Sequence, residues 1–174
     1  MDNTILNVAI PSLVNELGAT NSQLQWIVDG YTLVFAGLLL TTGSLGDKFG
    51  RKRALRVGIV VFALGSALSA LSTTPSQLIA TRSLMGVGGA LIMPSTLSIL
   101  TNVFRDPRER GRAIAIWAGF SGVGLALGPV TGGLLLEHFG WSSVFWVNLP
   151  IGAAALVAGY FFVPETRDRF APRL

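Results

Sequence analysis

Five stretches of this chain are long and apolar enough to cross a hydrocarbon layer, and that property limits the fold more than any other. They cover residues 24–45, 54–72, 79–102, 113–136 and 142–163. A spanning helix needs about 20 mainly apolar residues, because lipid offers no partner to the backbone and a helix satisfies its own N–H and C=O groups. A sixth apolar run opens the chain at 1–14, ahead of Asn15 and Glu16. It is too short to cross alone, so the expectation is a truncated first helix and a chain that is a piece at this end. Charged residues make up 13% of the sequence, against about a quarter in soluble domains.

The net charge of +4 does not mark a nucleic-acid binder, because the cations sit in the gaps between apolar runs. Lys48, Arg51, Lys52, Arg53 and Arg56 follow the second run. Arg105, Arg108, Arg110 and Arg112 follow the fourth, and Arg167, Arg169 and Arg173 follow the sixth. The alternate gaps, 15–23, 73–78 and 137–141, hold no Lys or Arg. If each run crosses once, the cations share one face, and the positive-inside rule makes that face cytoplasmic. Both ends are then expected inside, with the chain a multi-pass protein of the cell membrane.

A repeated phrase gives the internal organisation. Thr42-Gly43-Ser44-Leu45-Gly46-Asp47-Lys48-Phe49-Gly50 returns as Thr131-Gly132-Gly133-Leu134-Leu135-Leu136-Glu137-His138-Phe139-Gly140, with one residue inserted. Three runs separate the copies, an odd number, so they fall on opposite faces. The inner copy continues into Arg51, Lys52 and Arg53, while the outer one continues into Trp141 and Ser142. The expected fold is an all-α membrane bundle of six transmembrane helices in a 3+3 inverted repeat, a known transporter architecture.

Five motifs in order carry a resemblance to a family. They are Asp2-Asn3-Thr4-Ile5-x-Asn7-x-Ala9-x-Pro11; Gly43-x-Leu45-Gly46-Asp47-Lys48-x-Gly50-Arg51-Lys52; Arg82-x-x-x-Gly86-x-Gly88-Gly89-Ala90; Gly124-x-x-x-Gly128-Pro129-x-x-Gly132-Gly133; and Trp141 through Phe145 followed by Asn148-x-Pro150-x-Gly152. Together they resemble the N-terminal half of the major facilitator superfamily, in its fourteen-helix branch of drug:proton antiporters. Ser142-Ser143 departs from that pattern, which often has an Arg there. The resemblance implies half of a twelve- or fourteen-helix transporter that exports amphipathic or cationic small molecules against protons by alternating access, its C-terminal half missing here. No nucleotide-binding loop of the Gly-x-x-x-x-Gly-Lys type and no His/Ser/Asp hydrolytic set occurs in the sequence, so no cofactor and no enzymatic chemistry are expected. A sugar or metabolite symporter half, or an inactive membrane fragment, is the alternative.

The site residues follow from both lines. Arg82 is the one cation well inside an apolar run, Arg56 standing only at the third position of the run at 54–72, and such a charge faces a cavity or a partner, or snorkels to the headgroups. Asp29 and Asp2 are its candidate carboxylates: hydrocarbon disfavours an ionised acid and a facing guanidinium favours it, the competition that proton coupling needs. Gly43, Asp47, Gly50, Arg51 and Lys52 form a cytoplasmic gating loop by resemblance, with Asp47 expected near a helix start and the cations expected on Asp47 or on lipid phosphates. Gly124, Gly128, Pro129, Gly132 and Gly133 form a smooth strip, kinked at the proline, that would seal two rocking halves. Trp26 and Trp141 are expected at the outer headgroups, and Tyr31, Trp117 and Phe120 are candidates to line a cargo cavity. His138, the only histidine, makes no metal site.

Overall fold

The computed structural model describes residues 2–163, with side chains at 4–161 and 163. Arg167, Arg169 and Arg173 therefore lie outside the described residues, as does the side chain of Asp2. The described chain is entirely helical: α1 (Asp2–Leu17), α2 (Asn21–Phe49), α3 (Arg51–Ala70), α4 (Pro75–Val103), α5 (Pro107–Phe139), α6 (Ser143–Trp146) and α7 (Asn148–Phe162). Five segments are long and apolar enough to cross a membrane, α6 and α7 counting as one, and α1 is a shorter apolar helix.

Local chemistry sets the boundaries. Thr20 caps α2 through its hydroxyl, which accepts from the Gln23 N–H, and Gln23 returns a bond to the Thr20 N–H. Thr74 caps α4 in the same way, ahead of Pro75 at the first helical position. Asp106 caps α5 by accepting from the Arg108 and Glu109 amides. Each cap satisfies donors that a helix leaves orphaned at its start. The two copies of the repeated phrase do one local job: each ends a long helix at Phe-Gly, with Gly50 at φ 107° and Gly140 at φ 77°. That region is open to glycine and closed to most side chains.

Packing is organised around α4, which lies between α2 and α3. Lipid is as apolar as leucine, so membrane helices associate through close backbone approach and hydrogen bonds rather than hydrophobic expulsion. α4 carries two stripes for this purpose. Arg82, Gly86 and Gly89 face α2, where a Cβ on Gly86 would stand 2.7 Å from the Tyr31 carbonyl oxygen. Thr81, Met85 and Gly88 face α3, where a Cβ on Gly88 would stand 2.5 Å from the Phe62 nitrogen. Buried hydroxyls lock both seams: Thr42 Oγ1 donates to the Ala90 carbonyl at 2.6 Å, and Ser69 Oγ meets Thr81 Oγ1 at 2.9 Å. α1 packs against α5, and α6 and α7 pack against α3. Ile5, Leu6, Ile27, Met85 and Phe145 form the centre of the core.

The last run is one span made of two helices, since Val147 divides α6 from α7. Pro150 brings no N–H to the turn before it, and the opening is held from α3, where fully buried Ser66 donates to the Phe145 carbonyl at 2.7 Å and accepts from Asn148 Nδ2 at 3.1 Å. Ser66→Ala leaves that carbonyl without its side-chain donor; a loss of about 1–3 kcal/mol is expected, measurable as lower thermal stability in detergent. Trp141 is only 7% exposed and packs edge-on to Phe145 at 6.2 Å, so protein covers its ring. Trp26 is 52% exposed.

Candidate functional site

Arg82 is fully buried, at 0% exposure, so it does not snorkel. Its Nε donates to the Ile27 carbonyl of α2 at 3.3 Å, and its guanidinium lies 4.6 Å from the centroid of the Tyr31 ring. Ile27 and Tyr31 are four residues apart and share one face of α2. Tyr31 in turn stacks on Phe35, ring to ring at 5.9 Å. The glycines of α4 make this possible, because Gly89 leaves room for the Tyr31 hydroxyl, which a Cβ would meet at 2.9 Å. The guanidinium is thereby held in an apolar interior by a carbonyl and a π-face, contacts that strengthen where water is excluded.

The structure does not join Asp29 to Arg82 by an ion pair. The reason is rotational: Asp29 lies two residues from both Ile27 and Tyr31, so it projects almost opposite the α4-facing side of α2. It is partly buried. Asp2 is in the first turn of α1, three and four residues before the buried Ile5 and Leu6.

Of the residues expected in the cytoplasmic loop, Asp47 and Arg51 come together across Gly50. Arg51 binds Asp47 through Nη2 and Nε, each 2.7 Å from Oδ1, and its Nη1 donates to the Ser98 carbonyl of α4 at 3.3 Å. Asp47 is not near a helix start, as expected, but in the last turn of α2, which runs to Phe49 beyond the end of the apolar run. A carboxylate at a helix C-terminus and a cation at the next helix's N-terminus are each disfavoured by the local dipole, and pairing them answers both. The Arg51 side chain is 11% exposed and Asp47 42%. Gly50 makes the single-residue turn that brings them face to face, and Gly43, inside α2, approaches the Pro94 ring, where a Cβ would lie at 3.7 Å. Lys52 turns away, donating from Nζ to the Tyr160 carbonyl of α7 at 3.1 Å. Asp47→Asn keeps the shape and removes the charge. The expected result is a loss of about 0.5–1 kcal/mol of stability, read from unfolding temperature at low and high salt, with the difference shrinking in salt.

The glycine strip of α5 is divided. Gly128 and Gly132 are buried, and a Cβ on Gly132 would sit 3.1 Å from Ile5 Cγ2 and 3.4 Å from the Ile5 carbonyl oxygen. Gly124 is partly buried, Pro129 is exposed, and Gly133 has nothing within 4 Å of an added Cβ. α5 stays helical through Pro129. α1 thus occupies one edge of the strip and the other edge is open. Phe120, 75% exposed, lies on the open part of α5, apart from Tyr31 in the Arg82 pocket. No cluster of His, Asp or Glu that would hold a metal occurs among the described residues. Sequence reasoning missed the Ile27 and Ser98 carbonyls as Arg partners and Ser66 with Asn148 as a clamp. The four-residue spacing of Ile27 and Tyr31 was the one available signal.

The chain matches the family model of the Major Facilitator Superfamily over residues 1–173. It is 48% identical to the multidrug efflux pump LfrA of Mycolicibacterium smegmatis, over 97% of this chain and 33% of that protein. It is 44% identical to the methyl viologen resistance protein SmvA of Salmonella typhimurium, over 97% of this chain and 34% of that one. With the riboflavin transporter RibZ of Clostridioides difficile it shares 41% identity, over 95% and 36% of the two chains. The chain spans about a third of the length of these curated relatives. A buried arginine on a glycine-striped fourth helix, an Asp–Arg ion pair at a one-residue turn, and helices long and apolar enough to cross a membrane all agree with that match, and this integral membrane chain belongs to the major facilitator superfamily.

Proposed function

We propose that this bundle is the N-terminal half of a proton-coupled efflux antiporter that works by alternating access. It lies in the cell membrane with both ends cytoplasmic, and crosses it in spans at 1–14, 24–45, 54–72, 79–102, 113–136 and 142–163, the first partial. The observation that carries the reading is Arg82: a guanidinium is held fully buried between two helices, against a carbonyl and an aromatic face. A charge kept at such cost in hydrocarbon marks a functional path by default. Arg82 would hold the coupling carboxylate in its ionised form in one access state and release it to take a proton in the other. Asp2 is the first candidate for that acid and Asp29 the second, since Asp29 projects away from the Arg82 face.

The inner latch of Asp47 and Arg51 would be made in one state and broken in the other, with Gly43, Gly50 and Lys52 shaping it. The strip of Gly124, Gly128, Pro129, Gly132 and Gly133 would seal the bundle against its C-terminal partner, with α1 riding on one edge. Cargo of amphipathic or cationic small molecules is supported by the names of the relatives LfrA and SmvA, and a metabolite cargo by that of RibZ. Neither reading requires a cofactor.

The test is proton release. Reconstituted with the rest of its transporter, the protein should release protons when tetraphenylphosphonium is added, and Asp2→Asn should abolish the signal while Asp29→Asn diminishes it less. Proton movement driven by riboflavin or a sugar, with no response to the lipophilic cation, would replace this reading with a metabolite carrier.

A further inference from the structure

Pro94 lies inside α4, and its ring nitrogen carries no hydrogen. The Ala90 carbonyl, one turn earlier, therefore loses its helical donor. Thr42 of α2 supplies another, its Oγ1 donating at 2.6 Å, the kind of repair that a proline in a membrane helix calls for. The same hydroxyl stands 2.9 Å from the Leu38 carbonyl and 3.2 Å from that of Leu39, both in its own helix. A hydroxyl has one proton to give, so three acceptors compete for it. The Leu38 carbonyl lies within unbroken helix and has a backbone donor of its own; the Ala90 carbonyl depends on Thr42. The outer copy of the repeated phrase makes the other choice. Thr131, the counterpart of Thr42, lies 2.9 Å from the Leu127 carbonyl and 3.1 Å from that of Gly128, and among the described residues its bonds stay within α5.

Around the break, α2 and α4 meet on small groups. A Cβ on Gly43 would stand 3.7 Å from the Pro94 Cβ, and one on Gly46 would stand 3.6 Å from Ser95 Oγ. Ser95 is 3% exposed, and its hydroxyl has no hydrogen-bond partner among the described residues. A buried polar group left in that way opposes the closed seam. One turn further on, the Ser98 carbonyl accepts from Arg51.

We propose that Thr42 is a two-position hydrogen-bond switch that sets how far the inner end of α4, from Pro94 to Val103, stands from α2. With the proton on Ala90 the seam is closed, the arrangement of this structure. With the proton on Leu38, the choice that Thr131 makes, α4 bends at Pro94 and its inner end leaves α2. The Thr42 proton has an acceptor in both positions, and the opened seam lets water reach both the Ala90 carbonyl and the Ser95 hydroxyl. The two states therefore lie close in free energy. Opening also draws the Ser98 carbonyl away from Arg51, removing one of the contacts that hold that guanidinium. The inference concerns a motion within this bundle and does not rest on proton coupling.

The sequence has no cysteine, so Leu40→Cys in α2 and Val103→Cys in α4, both at exposed positions, take spin labels without competition. Pulsed electron resonance on the full chain in lipid nanodiscs then reads the separation of the two helices. The parent is expected to show a short and a long distance. Thr42→Val keeps the shape and removes the proton, and should shift the ratio toward the long distance by about tenfold. Thr42→Ser keeps the hydroxyl and should restore the parent ratio. Pro94→Ala returns an N–H to Ala90; it should leave the short distance alone, and adding Thr42→Val to it should change nothing further. Ser95→Ala removes the unsatisfied hydroxyl and should shift the parent toward the short distance, so the test survives if Thr42→Val fails to fold. One distance unchanged across all the variants would overturn the proposal. So would a Thr42→Val shift of equal size with and without Pro94, because Thr42 would then be packing the seam and not standing in for the missing donor.

Discussion

Gly88→Ala is expected to destabilise the bundle by roughly 3 kcal/mol, the upper end of what overpacking costs, and Gly133→Ala to leave it unchanged or slightly more stable. A methyl group at 88 would stand 2.5 Å from the Phe62 nitrogen and 2.8 Å from the Gly58 carbonyl oxygen, both backbone atoms that cannot swing aside. The α3–α4 seam must then open along its length, and the opening reaches the Ser69–Thr81 hydrogen bond. At 133 the same methyl meets nothing within 4 Å, so only helix propensity acts, favouring alanine by up to about 1 kcal/mol. Thermal unfolding of the two variants in one detergent, followed by helical circular dichroism, separates them. Equal stability would show that the seam is looser than described.

Arg82→Gln carries the second large effect. It removes the buried charge and its contact with the Tyr31 ring, while the Ile27 carbonyl keeps its own place in the α2 ladder. Insertion and fold are expected to survive, since no buried charge is left unpaired, and the export proposed for the whole transporter to fall at least about a hundredfold, a change of about 2.7 kcal/mol in its barrier. Arg82→Lys should restore little. A lysine keeps the charge but not the planar group that stacks on Tyr31 while donating from its edge. Tyr31→Leu should reproduce part of the loss. Transport assays on protein matched for thermal stability distinguish coupling from packing: if Arg82→Lys transports at the original rate, Arg82 is a packing residue and the coupling role is lost.

The all-helical bundle was legible because hydrocarbon imposes one length on every span, and the runs display that length directly. The inverted pairing was legible in the repeated phrase, and its Phe-Gly ending proved to be a shared helix stop at Gly50 and Gly140. What apolar runs do not carry is rotation about the helix axis. Position within the runs left Arg82 and Asp29 free to face each other; azimuth separates them, and azimuth depends on which helices surround α2. Hydropathy also misplaces helix ends. α2 continues through Asp47 to Phe49 because a helix keeps its hydrogen bonds into the headgroup layer, where its side chains turn polar, so Asp47 closes one helix instead of opening the next. The break at Val147 falls in a run apolar enough to read as one span, although Asn148 and Pro150 marked it. The strip at 124–133 was legible as a strip, but its division by α1 was not, since the partner of a smooth face leaves no trace in that face.

The coupling scheme depends on which face holds the cations. Cysteines placed one at a time at Thr74, between α3 and α4, and at Arg108, at the start of α5, report that face directly when intact cells meet a membrane-impermeant thiol reagent. The account predicts labelling at Thr74→Cys from outside and none at Arg108→Cys until the cells are opened. Labelling of both positions in intact cells, or of Arg108→Cys alone, would contradict it.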